Sequence, residues 1–254
     1  MKKTKREKTP AAIAEDANFG VDLIYSARSS LGIDSYDGLG SNVISLRVGV
    51  VGYISSDVQV SLGKVDVFLI KVSTALSKGE NLFDLFDLKQ ELLDAGSAIF
   101  DFCSNDFLPS VTKAFPSEWL IYPDGDIMLI HRIGISPLLR GQQLGLSVLA
   151  KVIEDFSAGC SLVVTKPFPL QFELGIEASS EWNNLALASF SKNKKESSKK
   201  LSKYYSKLGF KKLGRSDHFA ALPETVFSAV KKLNLQDCFS IPEGLEVIQP
   251  LGEN

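Results

Sequence analysis

Residues 140–145 combine an arginine with two glycines directly after a long apolar run. Glycine lets a backbone approach a bulky anion because it has no Cβ atom. From Leu144 to Phe156 apolar side chains recur at helical spacing, so we expect a helix that begins in this turn. The first N–H groups of a helix lack an intrahelical acceptor and carry partial positive charge. The segment therefore predicts a phosphate site, with Arg140 adding a full positive charge.

Two predicted strands position this turn. Residues 126–135 are almost continuously apolar, as expected for a strand buried on both faces, and Pro137 ends it. Residues 161–165 predict the next strand after the helix. The turn then lies at the carboxyl end of a strand, where α/β sheets usually bind ligands.

A second motif lies in residues 203–210. The segment has a helical pattern that ends at Gly209 before Phe210, and Tyr205 stands four residues before that glycine. An amphipathic helix with a glycine C-cap is the simpler interpretation of this motif alone. The motif gains weight from its position after the phosphate turn and one intervening strand.

Together the two motifs resemble the GNAT superfamily of N-acyltransferases over residues 117–222. The family's pyrophosphate loop reads Arg/Gln-x-x-Gly-x-Gly/Ala, and the first glycine of that pattern is Gln143 here. The turn matches neither the dinucleotide fingerprint nor the P-loop. The resemblance implies an α/β fold of the α+β type, with a GNAT-like mixed, mostly antiparallel twisted sheet flanked by helices. The loop residues that correspond to the family pattern are Arg140, Gly141, Gln142, Gln143, Leu144 and Gly145.

The resemblance also implies an activity. Acetyl-CoA would be the co-substrate, and its acetyl group would pass to a primary amine by direct attack in a ternary complex. The backbone of Ile133, Gly134 and Ile135 would pair with the pantetheine arm. Tyr205 would be the general acid that protonates the departing thiolate, whereas Tyr204 lies on a different helical face.

No general base stands out. His131 alternates with Leu129 and Ile133 inside the apolar strand, where a histidine is more often a core residue than a base. Glu173 follows a Pro-Phe-Pro segment and is a second candidate. Family members often deprotonate the amine through water, so catalysis does not depend on either residue.

Two alternatives stay open. Gln143 in place of glycine, together with the missing base, also fits a non-catalytic acyl-CoA-binding module on the same fold. Residues 192–212 carry nine lysines and one glutamate. This run is either a solvated helix face or a surface that attracts the 3′-phosphate of coenzyme A, an acidic protein or RNA, as in an RNA- or tRNA-directed acyltransferase.

Composition limits the class of protein. The chain has 254 residues, 44% of them hydrophobic, and a net charge of −2, so we expect no global attraction to nucleic acid. No apolar run has the length of a membrane span, and we expect no membrane partner and a cytoplasmic location. The three cysteines are widely separated and two histidines are too few for a typical zinc site, so no metal is expected.

Three segments are expected along the chain, the second of which contains an insertion at residues 170–197. Residues 1–42 are read as a flexible arm, residues 43–235 as the acyltransferase domain and residues 236–254 as a tail. Residues 170–197 are longer than the family's usual link and form either a substrate wall or a surface excursion. The domain is expected to open with a hairpin of residues 43–54 and 64–72, followed by one long or two short helices in residues 82–103. The remaining expected elements are a hairpin from 119–122 to 126, a helix near 181–187, a strand over 218–222 and a helix over 223–233.

Overall fold

The protein, described here as a computed structural model, is built on one eight-stranded sheet. The structure describes residues 18–29, 39–55, 58–116, 124–176, 182, 185–233, 235 and 238–240. The strands are β1 (Asn18–Arg28), β2 (Val43–Ser55), β3 (Val58–Ile70), β4 (Phe100–Asp101), β5 (Asp106–Phe107), β6 (Asp126–Ile135), β7 (Cys160–Thr165), β8 (Lys211–Lys212), β9 (Phe219–Ala221) and β10 (Cys238–Ser240). The sheet order is β10-β1-β2-β3-β6-β7-β9-β8, and β4 and β5 form a separate small hairpin.

Helices cover both faces of this sheet. They are α1 (Val72–Ser77), α2 (Leu82–Phe86), α3 (Gln90–Ile99), α4 (Pro109–Ala114), α5 (Leu144–Phe156), α6 (Lys194–Ser206) and α7 (Pro223–Leu233). Helices α1 to α4 pack on one face, and α5 to α7 pack on the other, each over its own apolar core. Among the strand pairs of the described residues, β6–β7 alone is parallel. The predicted fold class, a mixed and mostly antiparallel sheet flanked by helices, is confirmed.

The parallel pair is joined by α5, which buries a continuous apolar stripe that includes Val148, Leu149 and Val152. This stripe has the helical spacing that the sequence predicts, and the strand–turn–helix–strand unit is confirmed. Residues 82–103 form two short helices, α2 and α3. Cys103, which continues their apolar pattern, lies instead in the turn between β4 and β5.

Residues 18–28 differ from the prediction of a flexible arm over residues 1–42. They form β1, which pairs with β2 from Val21 opposite Gly52 to Arg28 opposite Ser45. Val21 and Leu23 point into the core on the α5–α7 side. The overall composition of residues 1–42 is polar, and this hides the short alternation of apolar and polar residues in β1. The prediction of a flexible arm is therefore wrong for residues 18–28.

Three further predictions concern residues 238–240, 119–122 and 181–187. Cys238–Ser240, assigned to the C-terminal tail, form β10 and pair with β1. The expected strand in residues 119–122 lies outside the described residues. A 3-10 turn spans Leu187–Ser189, and residues 181, 183 and 184 of the helix expected near 181–187 lie outside the described residues. In the described part of the chain no helix has both the length and the apolar character to cross a membrane.

Candidate functional site

Strand β6 pairs with β3 along most of its length but pairs with β7 along only half of it. Its partners on β3 extend to Ile135, whereas its last partner on β7 is Thr165, opposite Ile130. Beyond that pair, the β7-facing edge of residues 131–135 has no strand partner in the described chain. The two parallel strands therefore diverge there and form a fork.

A β-bulge at His131 accompanies the fork. Ile130 and Arg132 pair with neighbouring residues of β3, and His131 between them is the extra residue. Bulges reverse the facing of later side chains and are common beside active sites. Leu129 consequently lies in the α1–α4 core, while Ile133 packs on the opposite one. The prediction that His131 shares a face with both is wrong, because sequence alternation assumes a strand without a bulge.

The fork opens into a cavity of about 580 Å³, which we call the fork cavity; it lies between residues 131–145, 166–171, 185–191 and one face of α6. The cavity brings together most of the site residues predicted from the sequence. They are His131, Ile133, Gly134, Ile135, Arg140, Gly141, Gln143, Leu144, Gly145 and Tyr205. Gln142 and Glu173 are not among its lining residues. A volume of this size is typical of small-molecule sites.

The N-terminus of α5 opens on the fork cavity. Gln143 is its N-cap residue and adopts a left-handed conformation with φ 63°. The N–H groups of Leu144 and Gly145 donate to no backbone carbonyl of the described residues. Gly141 also has a positive φ of 89°, and a Cβ there would meet nothing within 4 Å. These amides and the helix dipole offer donors to an anion, as the glycine-rich turn predicts.

Gly145 has a second role. A Cβ atom built on it would lie 2.5 Å from the hydroxyl oxygen of Tyr204 on α6. That hydroxyl accepts a hydrogen bond from the backbone N–H of Leu146, and burial raises the pKa of Tyr204. The glycine is therefore needed for close packing of α6 against the helix start, as well as for access of a ligand.

The side chain of Arg140 is held by contacts within the protein and does not simply add a positive charge beside the turn. Its guanidinium donates to the carbonyl oxygens of Ile135 at 3.2 Å and Leu185 at 2.5 Å. It also lies 4.0 Å from the ring centroid of Phe190. Burial lowers its pKa. Arg140 thus fastens the 170–197 insertion to the end of β6, a role that the sequence analysis missed.

The insertion itself forms one wall of the fork cavity. Its apolar side chains make a small core of their own, and a Cβ atom at Gly134 would collide with Leu185 in that core. Leu185, Leu187 and Phe190 all line the cavity. Of the two interpretations of this segment, the described residues favour a wall over a surface excursion.

Tyr205 lies at the point where β6 and β7 part. Its side chain is buried and hydrogen-bonded to the hydroxyl of Thr165, which itself donates to the carbonyl of Ile130 at 3.0 Å. Burial raises the pKa of Tyr205 to about 12, so the phenol keeps its proton at neutral pH.

Within the part of the chain that the structure describes, every charged side chain that lines the fork cavity is cationic. They are Arg132, Arg140, Lys166, Lys200 and Lys207. The lysines of α6 were predicted only as a charged run. The helix places Ser197, Lys200, Leu201 and Tyr204 on the cavity side, at the i, i+3, i+4, i+7 spacing of one face. That spacing is the signal by which Lys200 can be recognised in the sequence, and Lys207, three residues after Tyr204, continues it.

The two candidate bases differ in their surroundings. Glu173 accepts two hydrogen bonds from Arg132, so its carboxylate is held in an ion pair. His131 packs 5.8 Å from the ring of Phe68, and its pKa is lowered by burial and by the charge of Arg132. A neutral imidazole can accept a proton, so the geometry favours His131 over Glu173 as a base.

A second cavity, which we call the sheet cavity, lies on the other side of His131. Its volume is about 770 Å³, and residues from β1, β2, β3, β6 and the start of α3 line it. His131 and Arg132 line both cavities. The two cavities therefore adjoin at the bulge of β6.

Comparison with protein-family models, with curated protein sequences and with solved structures found no match for this chain. Within the described residues, no group of three or more His, Cys, Asp or Glu side chains is arranged to hold a metal ion.

Proposed function

We propose that the protein is an N-acyltransferase that moves the acetyl group of acetyl-CoA to a primary amine. The observation that carries this proposal is the fork between β6 and β7. It joins an unpaired strand edge, an open helix N-terminus and the buried phenol of Tyr205 in one cavity. An extended, anionic thioester needs these three features together: amide pairing, phosphate donors and a proton source.

The residues present fit coenzyme A. The free edge at Ile133 and Gly134 can pair with the amides of the pantetheine arm. The N–H groups of Leu144 and Gly145 would hold the pyrophosphate, and the cationic lining suits the phosphates of the nucleotide. The carbonyl of Ile135 is used by Arg140 and is not available for that pairing.

The proposed reaction is direct attack. The amine nitrogen attacks the thioester carbonyl carbon, a C–N bond forms, and the C–S bond breaks. The thiolate takes the phenolic proton of Tyr205, which solvent then restores. The nitrogen loses a proton to His131 or to water. A phenol with a pKa of about 12 is protonated at neutral pH, so its proton is in place when the C–S bond breaks.

The first test is binding and turnover. Calorimetry near pH 7.5 should show that acetyl-CoA binds with a stoichiometry of one per chain. A thiol-reactive assay should show release of coenzyme A that depends on an added amine. Absence of binding at millimolar acetyl-CoA would contradict the proposal. ATP serves as the control ligand, because it carries phosphates but no pantetheine arm.

A non-catalytic acyl-CoA-binding module is the second candidate. It is favoured by the left-handed backbone at Gln143, a strained position for a side chain, and by the ion pair that occupies Glu173. It predicts acetyl-CoA binding without thiol release over a broad amine panel. The third candidate, an RNA- or tRNA-directed acyltransferase, uses the exposed lysines of α6. It predicts RNA binding that weakens steeply with salt.

A further inference from the structure

The sheet cavity combines an apolar floor with a charged rim. Val43, Phe68 and Leu92, all of the α1–α4 core, are buried and line it. Its other lining residues include four cations and two acids: Arg28, Arg47, Lys89, Arg132, Asp66 and Glu91. We propose that this cavity binds the acceptor, and that the acceptor is an amine that also carries an anionic group, a carboxylate or a phosphate. This inference rests on the proposed acyl transfer.

The position of the cavity supports an acceptor role. An acceptor must reach the thioester from a side that coenzyme A does not fill. Among the described residues, His131 and Arg132 at the bulge are the two that line both the sheet cavity and the fork cavity. An amine that enters from the sheet cavity therefore arrives beside His131, which is the better placed base.

The charges at the rim specify an anion. Asp66 lies 3.5 Å from Arg47 and 3.8 Å from Arg132, so its carboxylate is already neutralised. Lys89 has its ammonium 4.7 Å above the ring of Phe68 and no carboxylate partner among the described residues. Arg28, exposed at the end of β1, likewise has no ion pair in the described chain. These two cations remain available for a ligand.

The start of α3 adds to this preference. Lys89 is the N-cap residue of this ten-residue helix, and its side chain makes no capping hydrogen bond. The first amides of α3 therefore lie beside the same cation, where an anion is stabilised. Glu91, the acid of the first turn, opposes the anion locally. Its charge also acts on His131 and Arg132, so it favours the amine end of the ligand near the bulge.

The test compares acceptors that differ only in the anionic group. The pairs are 4-(aminomethyl)benzoate with its primary amide, and O-phosphoethanolamine with ethanolamine. Thiol release should give a kcat/KM about tenfold higher or more for at least one anionic member over its neutral partner, because a charge-assisted hydrogen bond is lost with the anion. Whichever pair shows the larger ratio distinguishes a carboxylate from a phosphate.

Two variants locate the effect. Lys89→Gln and Arg28→Gln should each reduce the anionic-to-neutral ratio by about fivefold to tenfold, mainly through KM. Lys231→Gln, an exposed lysine of α7, is the matched control and should keep the wild-type ratio. Circular dichroism and thermal unfolding verify that each variant is folded.

The outcomes separate this inference from the proposed function. If acetyl-CoA binds and neutral amines are acetylated as efficiently as their anionic partners, the acceptor inference is overturned while acyl transfer stands. If the ratio is high but survives both substitutions, the anion is bound elsewhere and the inference is again overturned. If no amine of either kind releases thiol, the proposed function itself fails.

Discussion

The two cavities that meet at His131 are built in different ways. The fork cavity takes its lining from residues 131–207, largely from one strand, the turn after it and two following segments. The sheet cavity collects residues between 26 and 132 from five elements. The fork cavity is therefore formed mainly by one strand–turn–helix unit and the segments after it. The sheet cavity requires that the strands of the sheet have already paired.

Their charges differ as well. The fork cavity is lined by five cations and no acid among its described residues, which suits a polyanion such as coenzyme A. The sheet cavity has cations and acids on one rim, which suits a ligand with charges of both signs. Two cavities with unlike charge on either side of one bulge fit the proposed reaction between two unlike substrates.

The strongest test of this division concerns the adjacent tyrosines of α6. Tyr205→Phe should lower the rate of thiol release by about 10²–10⁴-fold, because it removes the proposed general acid at the fork. Tyr204→Phe is the matched control, since the Tyr204 hydroxyl contacts the backbone of Leu146 at the start of α5. This variant should affect mainly acetyl-CoA binding. Equal losses in both variants, or a Tyr205→Phe enzyme with unchanged turnover, would remove the acid assignment.

A second prediction concerns the free energy of unfolding and its dependence on pH through His218. His218 is buried, and desolvation together with the charge of Lys166, a fork-cavity residue, lowers its pKa from 6.5 to about 4. The unfolded chain therefore takes up a proton before the folded chain does. Stability is full above pH 6.5 and falls as the pH drops toward 4, by up to about 3 kcal/mol from this residue.

Urea unfolding at pH 7, 5.5 and 4.5 measures this loss. His218→Gln should flatten the decline relative to wild type, whereas Asp217→Asn, its exposed neighbour, should keep most of it. If the wild type and His218→Gln lose stability in parallel, the folded-state pKa of His218 is close to its ordinary value.

The local character of the fork cavity explains why much of it was predictable. The start of α5, the preceding strand and the loop residues follow from periodicity and turn chemistry within about 30 residues of chain. Tyr205 was identified by a motif, and its burial at the fork is consistent with its proposed role. Gln142 belongs to the sequence pattern but is not among the residues that line the cavity.

The rest depends on pairing between distant segments. The bulge at His131 is set by the register of β6 on β3, which no local pattern encodes. The partners of Arg140, the carbonyls of Ile135 and Leu185, lie five and 45 residues away. Strand β1 was assigned to the arm for a similar reason, since its eight pairs with β2 become visible only once the sheet is assembled.

A third prediction tests whether Arg140 holds the 170–197 insertion against the end of β6 or binds a phosphate group. Arg140→Lys keeps the positive charge but loses the two carbonyl bonds and the stacking on Phe190. We expect the free energy of unfolding to fall by about 1–2 kcal/mol. Arg215→Lys, an exposed arginine, is the control and should stay within about 0.5 kcal/mol of wild type. A variant of unchanged stability that binds acetyl-CoA more weakly would instead favour direct phosphate contact.

The smallest expected effect concerns Gln143, where the chain departs from the family's glycine. Its φ of 63° is a conformation that costs a non-glycine residue about 1–2 kcal/mol, while glycine adds about 0.5–1 kcal/mol of unfolded-state entropy. Gln143→Gly should therefore stabilise the fold slightly, by about 0.5–1 kcal/mol, as read from urea unfolding. Gln142→Gly, without a positive φ at that position, should destabilise it. If Gln143→Gly instead weakens both folding and acetyl-CoA binding, the glutamine side chain has an interaction at the fork that outweighs its backbone strain.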